Sequence, residues 1–115
     1  MVPEQQNPDG DFPTCPKPNP ELPEVYKLAI DMAINEEADL ILATDPDSDR
    51  IGMAVPKQDQ SGYQVLTGNE MATLLLEYLT KTRAMPENPL IIRTIVSTPI
   101  VDYIAKMLHG EVKKT

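Results

Sequence analysis

Two short apolar runs are separated by a loop that carries three aspartates at alternate positions. The stretch from Ala38 to Pro56 reads ADLILATDPDSDRIGMAVP. Apolar runs of this length, bounded by loop residues, are typical of buried strands. Pro46, inside the loop, prevents either run from continuing through it as helix or ladder. The stretch therefore predicts a strand over 39–44, a fixed acidic loop and a second strand over 50–55.

The aspartates of this loop, Asp45, Asp47 and Asp49, form a candidate cation site. Neighbouring carboxylates repel one another, and a cation between them relieves the repulsion. Oxygen ligands without histidine or cysteine nearby favour a hard ion, Mg²⁺ first and Ca²⁺ or Mn²⁺ after it. A solvated acidic turn with Arg50 as counter-ion is the alternative for a bare D-x-D-x-D motif. The strands on both sides favour the metal site.

Arg50 follows the triad directly and adds a planar donor suited to phosphate. A cation beside an arginine at a strand end suits phosphoryl transfer, because both neutralise charge on the transferring group. An EF-hand calcium loop is excluded, because it needs Gly at its sixth and Glu at its twelfth position, where this chain has Arg50 and Pro56. An aspartyl-phosphate enzyme, with Asp45 as nucleophile and Asp47 as acid, stays open on chemistry alone.

The rest of the chain alternates helical and strand patterns. Apolar residues at helical spacing predict a helix over 24–37, and similar stripes follow TGNE at 67–70 and STP at 97–99. Further short strands are predicted at 63–66 and 90–96. The segment before the first helix is rich in proline and is predicted to be an extended loop. The pattern indicates an α/β fold of mixed sheets with packing helices.

The charge and composition of the chain bear on which partners it can bind and on where in the cell it is found. The formal net charge of −8 argues against nucleic acid and against an anionic membrane surface as partners. The sequence contains no secretory signal and no apolar stretch long enough to cross a bilayer. Its single cysteine, Cys15, cannot form an internal disulfide and is taken as structurally incidental. We therefore expect a cytoplasmic protein.

Three blocks of the sequence resemble the α-D-phosphohexomutase family, in its bacterial phosphoglucomutase and phosphomannomutase branch. They are FPTCPKPNPE, ADLILATDPDSDRIGMAV and LTGNEMATLLLEYL, they follow the family's order and spacing, and the resemblance covers nearly the whole chain. The resemblance implies Mg²⁺ as cofactor, Arg50 close to a catalytic phosphoserine, and three metal ligands, Asp45, Asp47 and Asp49. It also implies two partial domains, the later part of domain II over 1–62 and the start of domain III over 63–115.

Enzymes of this family move a phosphoryl group between the 1 and 6 positions of a hexose through a bisphosphorylated intermediate. By the same resemblance, the phosphoserine loop, the sugar-selecting glutamate loop and the phosphate-binding loop all lie outside this chain. We therefore expect a fragment of a hexose-phosphate mutase that is inactive alone and that self-associates through exposed sheet edges. A small acidic domain that binds a cation or a partner protein is the other hypothesis.

Overall fold

The computed structural model describes residues 1–115, which form two compact units, Met1–Thr67 and Gly68–Thr115. The α/β class predicted from the sequence is confirmed, since helices alternate with the strands of two sheets. None of the helices combines the length and the apolar character needed to span a membrane. The assignment of 1–62 and 63–115 to the second and third domains of the family stays a prediction.

The first unit is built on an antiparallel sheet of three strands. These are β1 (Ile41–Thr44), β2 (Ile51–Pro56) and β3 (Tyr63–Leu66), in the order β1-β2-β3. Thr44 pairs with Ile51, so β1 and β2 form a hairpin closed by the loop 45–50. The helix α1 (Lys27–Asn35) packs on one face of the sheet. The buried core residues there are Tyr26, Ala33, Ile41 and Ala54.

The helix predicted over 24–37 is shorter in the structure. A 3-10 turn occupies Pro23–Tyr26, and α1 begins only after it. At the other end, Glu37 adopts a positive φ of 51°, which a right-handed helix does not allow. The hydroxyl of Tyr26 donates a hydrogen bond to the carbonyl of Pro20 at 2.8 Å. This bond ties the proline-rich segment to the core of the first unit.

The second unit is a strand–helix–strand arrangement that follows a long helix. In chain order it consists of α2 (Gly68–Thr82), β4 (Leu90–Arg93), α3 (Ile100–Met107) and β5 (Glu111–Lys114). The strands β4 and β5 pair in parallel with Arg93 beside Lys114, so both strands end at the same edge of the sheet. The strand predicted over 90–96 ends at Arg93, because the Arg93 guanidinium donates to the carbonyls of Thr94 and Ser97 and closes a turn.

An ion-pair cluster joins β4, α3 and β5. Arg93 donates from Nε and Nη2 to the two carboxylate oxygens of Asp102 at 2.7 and 2.8 Å. Lys114 Nζ lies 3.3 Å from the same carboxylate. The hydrogen bonds from Arg93 hold the pKa of Asp102 at about 2, below its ordinary value of 3.8. One carboxylate thus connects three elements of the unit.

We expect the second unit to lose stability as the pH falls from about 4 to about 2. Because the pKa of Asp102 is lower in the folded than in the unfolded chain, its contribution is complete above 3.8 and is lost as the pH falls through about 2. Melting temperatures of the parent and of Asp102→Asn, followed by circular dichroism across this range, test the expectation. The difference between the two melting temperatures should shrink as the pH falls through about 2. A difference that stays constant across this range would contradict the expectation. Asp45, whose pKa is also about 2, affects both proteins equally.

Candidate metal site

The loop 45–50 positions all three predicted carboxylates between β1 and β2. The backbone N–H of Ser48 donates to the carbonyl of Asp45 at 3.1 Å, and Ser48 has a positive φ of 59°, so the chain turns sharply. One carboxylate oxygen from each of Asp45, Asp47 and Asp49 lies within 4.8 Å of the others. The structure therefore brings together the aspartates that the sequence singled out.

Asp45 differs from the other two aspartates because it is buried. It is 3% exposed, whereas Asp47 and Asp49 are exposed. Arg50 donates to both of its oxygens, from the backbone N–H to Oδ1 at 3.1 Å and from Nε to Oδ2 at 2.6 Å. Burial raises the pKa of the Asp45 carboxyl, but the hydrogen bonds from Arg50 outweigh burial and lower the pKa to about 2. Asp45 is therefore ionised at neutral pH.

The negative charge of the loop exceeds what Arg50 neutralises. Its Nε bonds Asp45 and lies 3.8 Å from Asp49 Oδ1. A hydrogen bond with Asp45, together with the charges of Asp47 and Asp45, raises the pKa of Asp49. Three carboxylates and one guanidinium carry a net charge of about −2 when ionised. The donor set therefore fits a hard divalent cation, which prefers carboxylate oxygens.

The same geometry disfavours Asp45 as the nucleophile of an aspartyl-phosphate enzyme. Both of its oxygens accept hydrogen bonds from Arg50, and the side chain is almost fully buried. Hydrogen bonds to the charged form stabilise a carboxylate and make its lone pairs less available for attack on phosphorus. Asp45 is better placed as a fixed ligand than as a reacting group.

The sequence interpretation missed the packing that supports this hairpin. Gly52 lies in β2, opposite Ala43. A Cβ added to Gly52 would collide with the hydroxyl of Tyr26 and the carbonyl of Pro20, and would lie 2.8 Å from Pro20 Cβ. A glycine within a strand pattern often marks such a close approach, so the signal was present in the sequence.

The cluster formed by Arg93, Asp102 and Lys114 was missed as well. Arg93 follows an apolar run, and Asp102 lies nine residues further along the chain, on the helix that follows the strand. No local pattern connects the two residues. At the start of α3 the Thr98 hydroxyl accepts the backbone N–H of Ile100 at 3.3 Å, and the Ser97 hydroxyl pairs with that of Thr94 at 3.1 Å.

The chain matches one protein family and several curated proteins. Residues 1–60 match the family described as phosphoglucomutase/phosphomannomutase, alpha/beta/alpha domain II. Phosphomannomutase of Mycoplasmoides pirum is 36% identical over 112 residues, which cover 97% of this chain and 20% of that protein. Phosphoglucomutase of Staphylococcus aureus (strain USA300) is 32% identical over 115 residues, with coverages of 99% and 20%. Glucose 1,6-bisphosphate synthase of Mus musculus is 40% identical over 111 residues, with coverages of 90% and 18%.

The chain thus spans about a fifth of the length of the curated relatives it matches. No solved structure matches it.

Proposed function

The chain belongs to the phosphoglucomutase/phosphomannomutase family, and from this premise we propose that it carries the Mg²⁺-binding loop of a cytoplasmic hexose-phosphate mutase. The proposed reaction interconverts hexose 1-phosphate and hexose 6-phosphate through a phosphoserine and a bisphosphate intermediate. The observation that supports it is the acidic loop, in which oxygens of Asp45, Asp47 and Asp49 lie within 4.8 Å of one another beside Arg50. We expect other parts of the full-length enzyme to supply the phosphoserine and the sugar site.

Each residue of the loop has a distinct role in this proposal. Asp45, Asp47 and Asp49 would hold the cation, which when bound supplies positive charge beside a phosphoryl group under transfer. Arg50 presents a planar set of donors that suits the oxygens of a phosphoserine. Arg50 bonds the carboxylate of Asp45 through Nε, and this bond would hold the guanidinium beside the cation.

Calorimetric titration of Mg²⁺ into the chain tests the metal assignment. We expect weak binding that Asp47→Asn weakens at least tenfold, since losing a ligand should cost no less than losing an outer-shell partner, roughly 10- to 100-fold. Asp39→Asn is the matched control, because it removes the same charge from an exposed residue just before β1. Equal weakening by the two substitutions would indicate general attraction to an acidic surface and would contradict the proposal.

A mutase assay with glucose 1-phosphate and glucose 1,6-bisphosphate accompanies the titration. We expect no turnover by the 115-residue chain, because the proposed phosphoryl donor is a serine elsewhere in the enzyme. Turnover by this chain alone would contradict that division of the catalytic parts, whatever the metal affinity.

We also expect the chain to self-associate. Apolar side chains are more than half exposed in each unit, including Leu42 (56%) and Ile51 (54%) in the first and Leu90 (58%) and Ile92 (61%) in the second. Open strand edges and exposed apolar patches promote association, and parallel sheets normally have both faces covered. Sedimentation velocity at increasing concentration tests this expectation. A single monomeric species at every concentration would contradict it.

A further inference from the structure

The hydroxyl of Tyr26 joins the proline-rich segment to the core of the first unit beside the metal-loop hairpin. It donates to the carbonyl of Pro20 at 2.8 Å, and both side chains are fully buried. Burial raises the pKa of the Tyr26 hydroxyl, so the group stays protonated and remains a donor at neutral pH. The bond is therefore a lasting link between the segment and the helical turn that carries Tyr26.

This hydrogen bond lies directly against the backbone of β2. A Cβ added to Gly52 would collide with both of its ends, the Tyr26 hydroxyl and the Pro20 carbonyl oxygen. No side chain separates the bond from the strand, because residue 52 is a glycine. A shift of either end would therefore change the packing of β2 at Gly52.

The point of contact is close to the aspartate loop. Gly52 pairs with Ala43 across the hairpin. Arg50 precedes Gly52 by two residues, and Asp45 follows the partner of Gly52 by two residues, a separation of about 7 Å along a strand. Strand residues two apart point to the same face, and Asp45 is buried. Asp45 and Arg50 thus follow on the face of the hairpin against which the hydrogen bond packs.

The orientation of the Asp45 carboxylate depends on where β2 begins. Arg50 directly precedes β2, and it donates to Asp45 from its backbone N–H at 3.1 Å and from Nε at 2.6 Å. Binding groups must be held within about 0.5 Å of their productive positions. A displacement of β2 would move both donors and with them the buried ligand.

The turn that presents the Pro20 carbonyl is held by hydrogen bonds of its own. Asn19 Oδ1 accepts the backbone N–H of Glu21 at 3.0 Å. The N–H of Leu22 donates to the carbonyl of Asn19 at 3.0 Å, and the N–H of Asn19 donates to the carbonyl of Lys17 at 2.8 Å. The carbonyl that Tyr26 bonds is therefore part of a fixed turn.

We propose that Tyr26 is a positioning residue of the metal site, which together with Pro20 holds the start of β2 and so fixes the Asp45–Arg50 pair for cation binding. Tyr26 bonds none of the three aspartates and acts through the backbone of β2. The proposal rests on the metal site proposed above and adds to it a role for the proline-rich segment.

Calorimetric titration of Mn²⁺ into Tyr26→Phe tests the proposal, with Tyr63→Phe as the matched control. Tyr63 pairs with Pro56 at the other end of β2, and its hydroxyl donates to the carbonyls of Ala33 and Ala38. Each substitution thus removes one tyrosine hydroxyl from the first unit. We expect Tyr26→Phe to weaken Mn²⁺ binding about tenfold, the lower end for residues that orient a metal ligand. Tyr63→Phe should bind Mn²⁺ like the parent.

The side-chain Nε–H signal of Arg50 in the metal-free, ¹⁵N-labelled chain gives a second readout, which a general loss of stability would not select. In the parent this N–H donates to Asp45 Oδ2 at 2.6 Å, so its exchange with water should be slowed. We expect faster exchange in Tyr26→Phe and no change in Tyr63→Phe. If the parent binds no Mn²⁺, the proposed metal site fails, and this signal still decides whether Tyr26 positions Arg50.

Asn19→Ala tests the same support without changing a core residue, since it removes the side-chain acceptor of the Glu21 N–H. It should weaken Mn²⁺ binding less than Tyr26→Phe does, and it decides the question if Tyr26→Phe does not fold. Where the parent binds Mn²⁺, equal weakening by the two tyrosine variants, or undiminished binding by folded Tyr26→Phe, would overturn the proposal. An Arg50 signal that Tyr26→Phe leaves unchanged would overturn it in either case.

Discussion

Replacing Gly52 by alanine is expected to destabilise the first unit by about 3 kcal/mol, near the upper end for overpacked interiors. The added Cβ would collide with the hydroxyl of Tyr26 and the carbonyl of Pro20 and would lie 2.8 Å from Pro20 Cβ. Neither neighbour moves cheaply, because Tyr26 is 1% exposed and its hydroxyl donates to that same carbonyl. Small domains have only about 5 kcal/mol of stability. The substitution should therefore leave much of the first unit unfolded.

Urea unfolding followed by circular dichroism measures this loss, with Gly10→Ala as the control, since nothing lies within 4 Å of a Cβ added at Gly10. Alanine is favoured over glycine in a strand wherever there is space. An unchanged or higher stability of Gly52→Ala would therefore contradict the close packing. Adding Tyr26→Phe to the Gly52→Ala variant should restore part of the stability, because it removes the hydroxyl that the new Cβ meets. The difference between the double variant's loss of stability and the sum of the two single losses measures the contact between residues 26 and 52.

Asp45→Asn is expected to remove divalent-cation binding more completely than any other single substitution in the loop. Asp45 is the buried ligand, so its charge acts through a lower effective dielectric than the charges of Asp47 and Asp49. Asparagine keeps an oxygen for the Arg50 N–H but loses the charge opposite Arg50 Nε. The guanidinium then repels a cation. We expect the affinity to fall on the order of a hundredfold, against about tenfold for Asp47→Asn.

Calorimetric titration of Mn²⁺ compares the two variants, and circular dichroism of each checks that the chain is folded. If Asp45→Asn bound Mn²⁺ as tightly as Asp47→Asn does, the ion would be held by the exposed carboxylates alone. That result would contradict the role assigned to the buried ligand.

The acidic loop could be predicted because its signals are neighbours in the sequence. The apolar runs, Pro46 and the alternating aspartates stand within one short stretch, and the pairing of Thr44 with Ile51 keeps them together. The flanking strands, predicted over 39–44 and 50–55, differ from β1 and β2 by one or two residues at their ends. Such shifts are usual where strand ends fray into loops.

The contacts that join distant parts of the chain could not be predicted in this way. The apolar run over 90–96 has no feature that shows a guanidinium closing the strand at Arg93. The glycine in β2 signals that something approaches its backbone, but not that the neighbours are Tyr26 and Pro20. Both features depend on which side chains the fold brings together, and that information is not local.

Paramagnetic broadening by Mn²⁺ tests the metal-loop assignment most directly. When substoichiometric Mn²⁺ is added to the ¹⁵N-labelled chain, the amide signals nearest the ion disappear first. We predict that the amides of the loop 45–50 broaden before any others, and that Asp45→Asn abolishes this order while Asp39→Asn preserves it. Broadening that began at Glu36 and Glu37, or that spread evenly over the acidic surface, would contradict the assignment and identify the loop as a solvated turn.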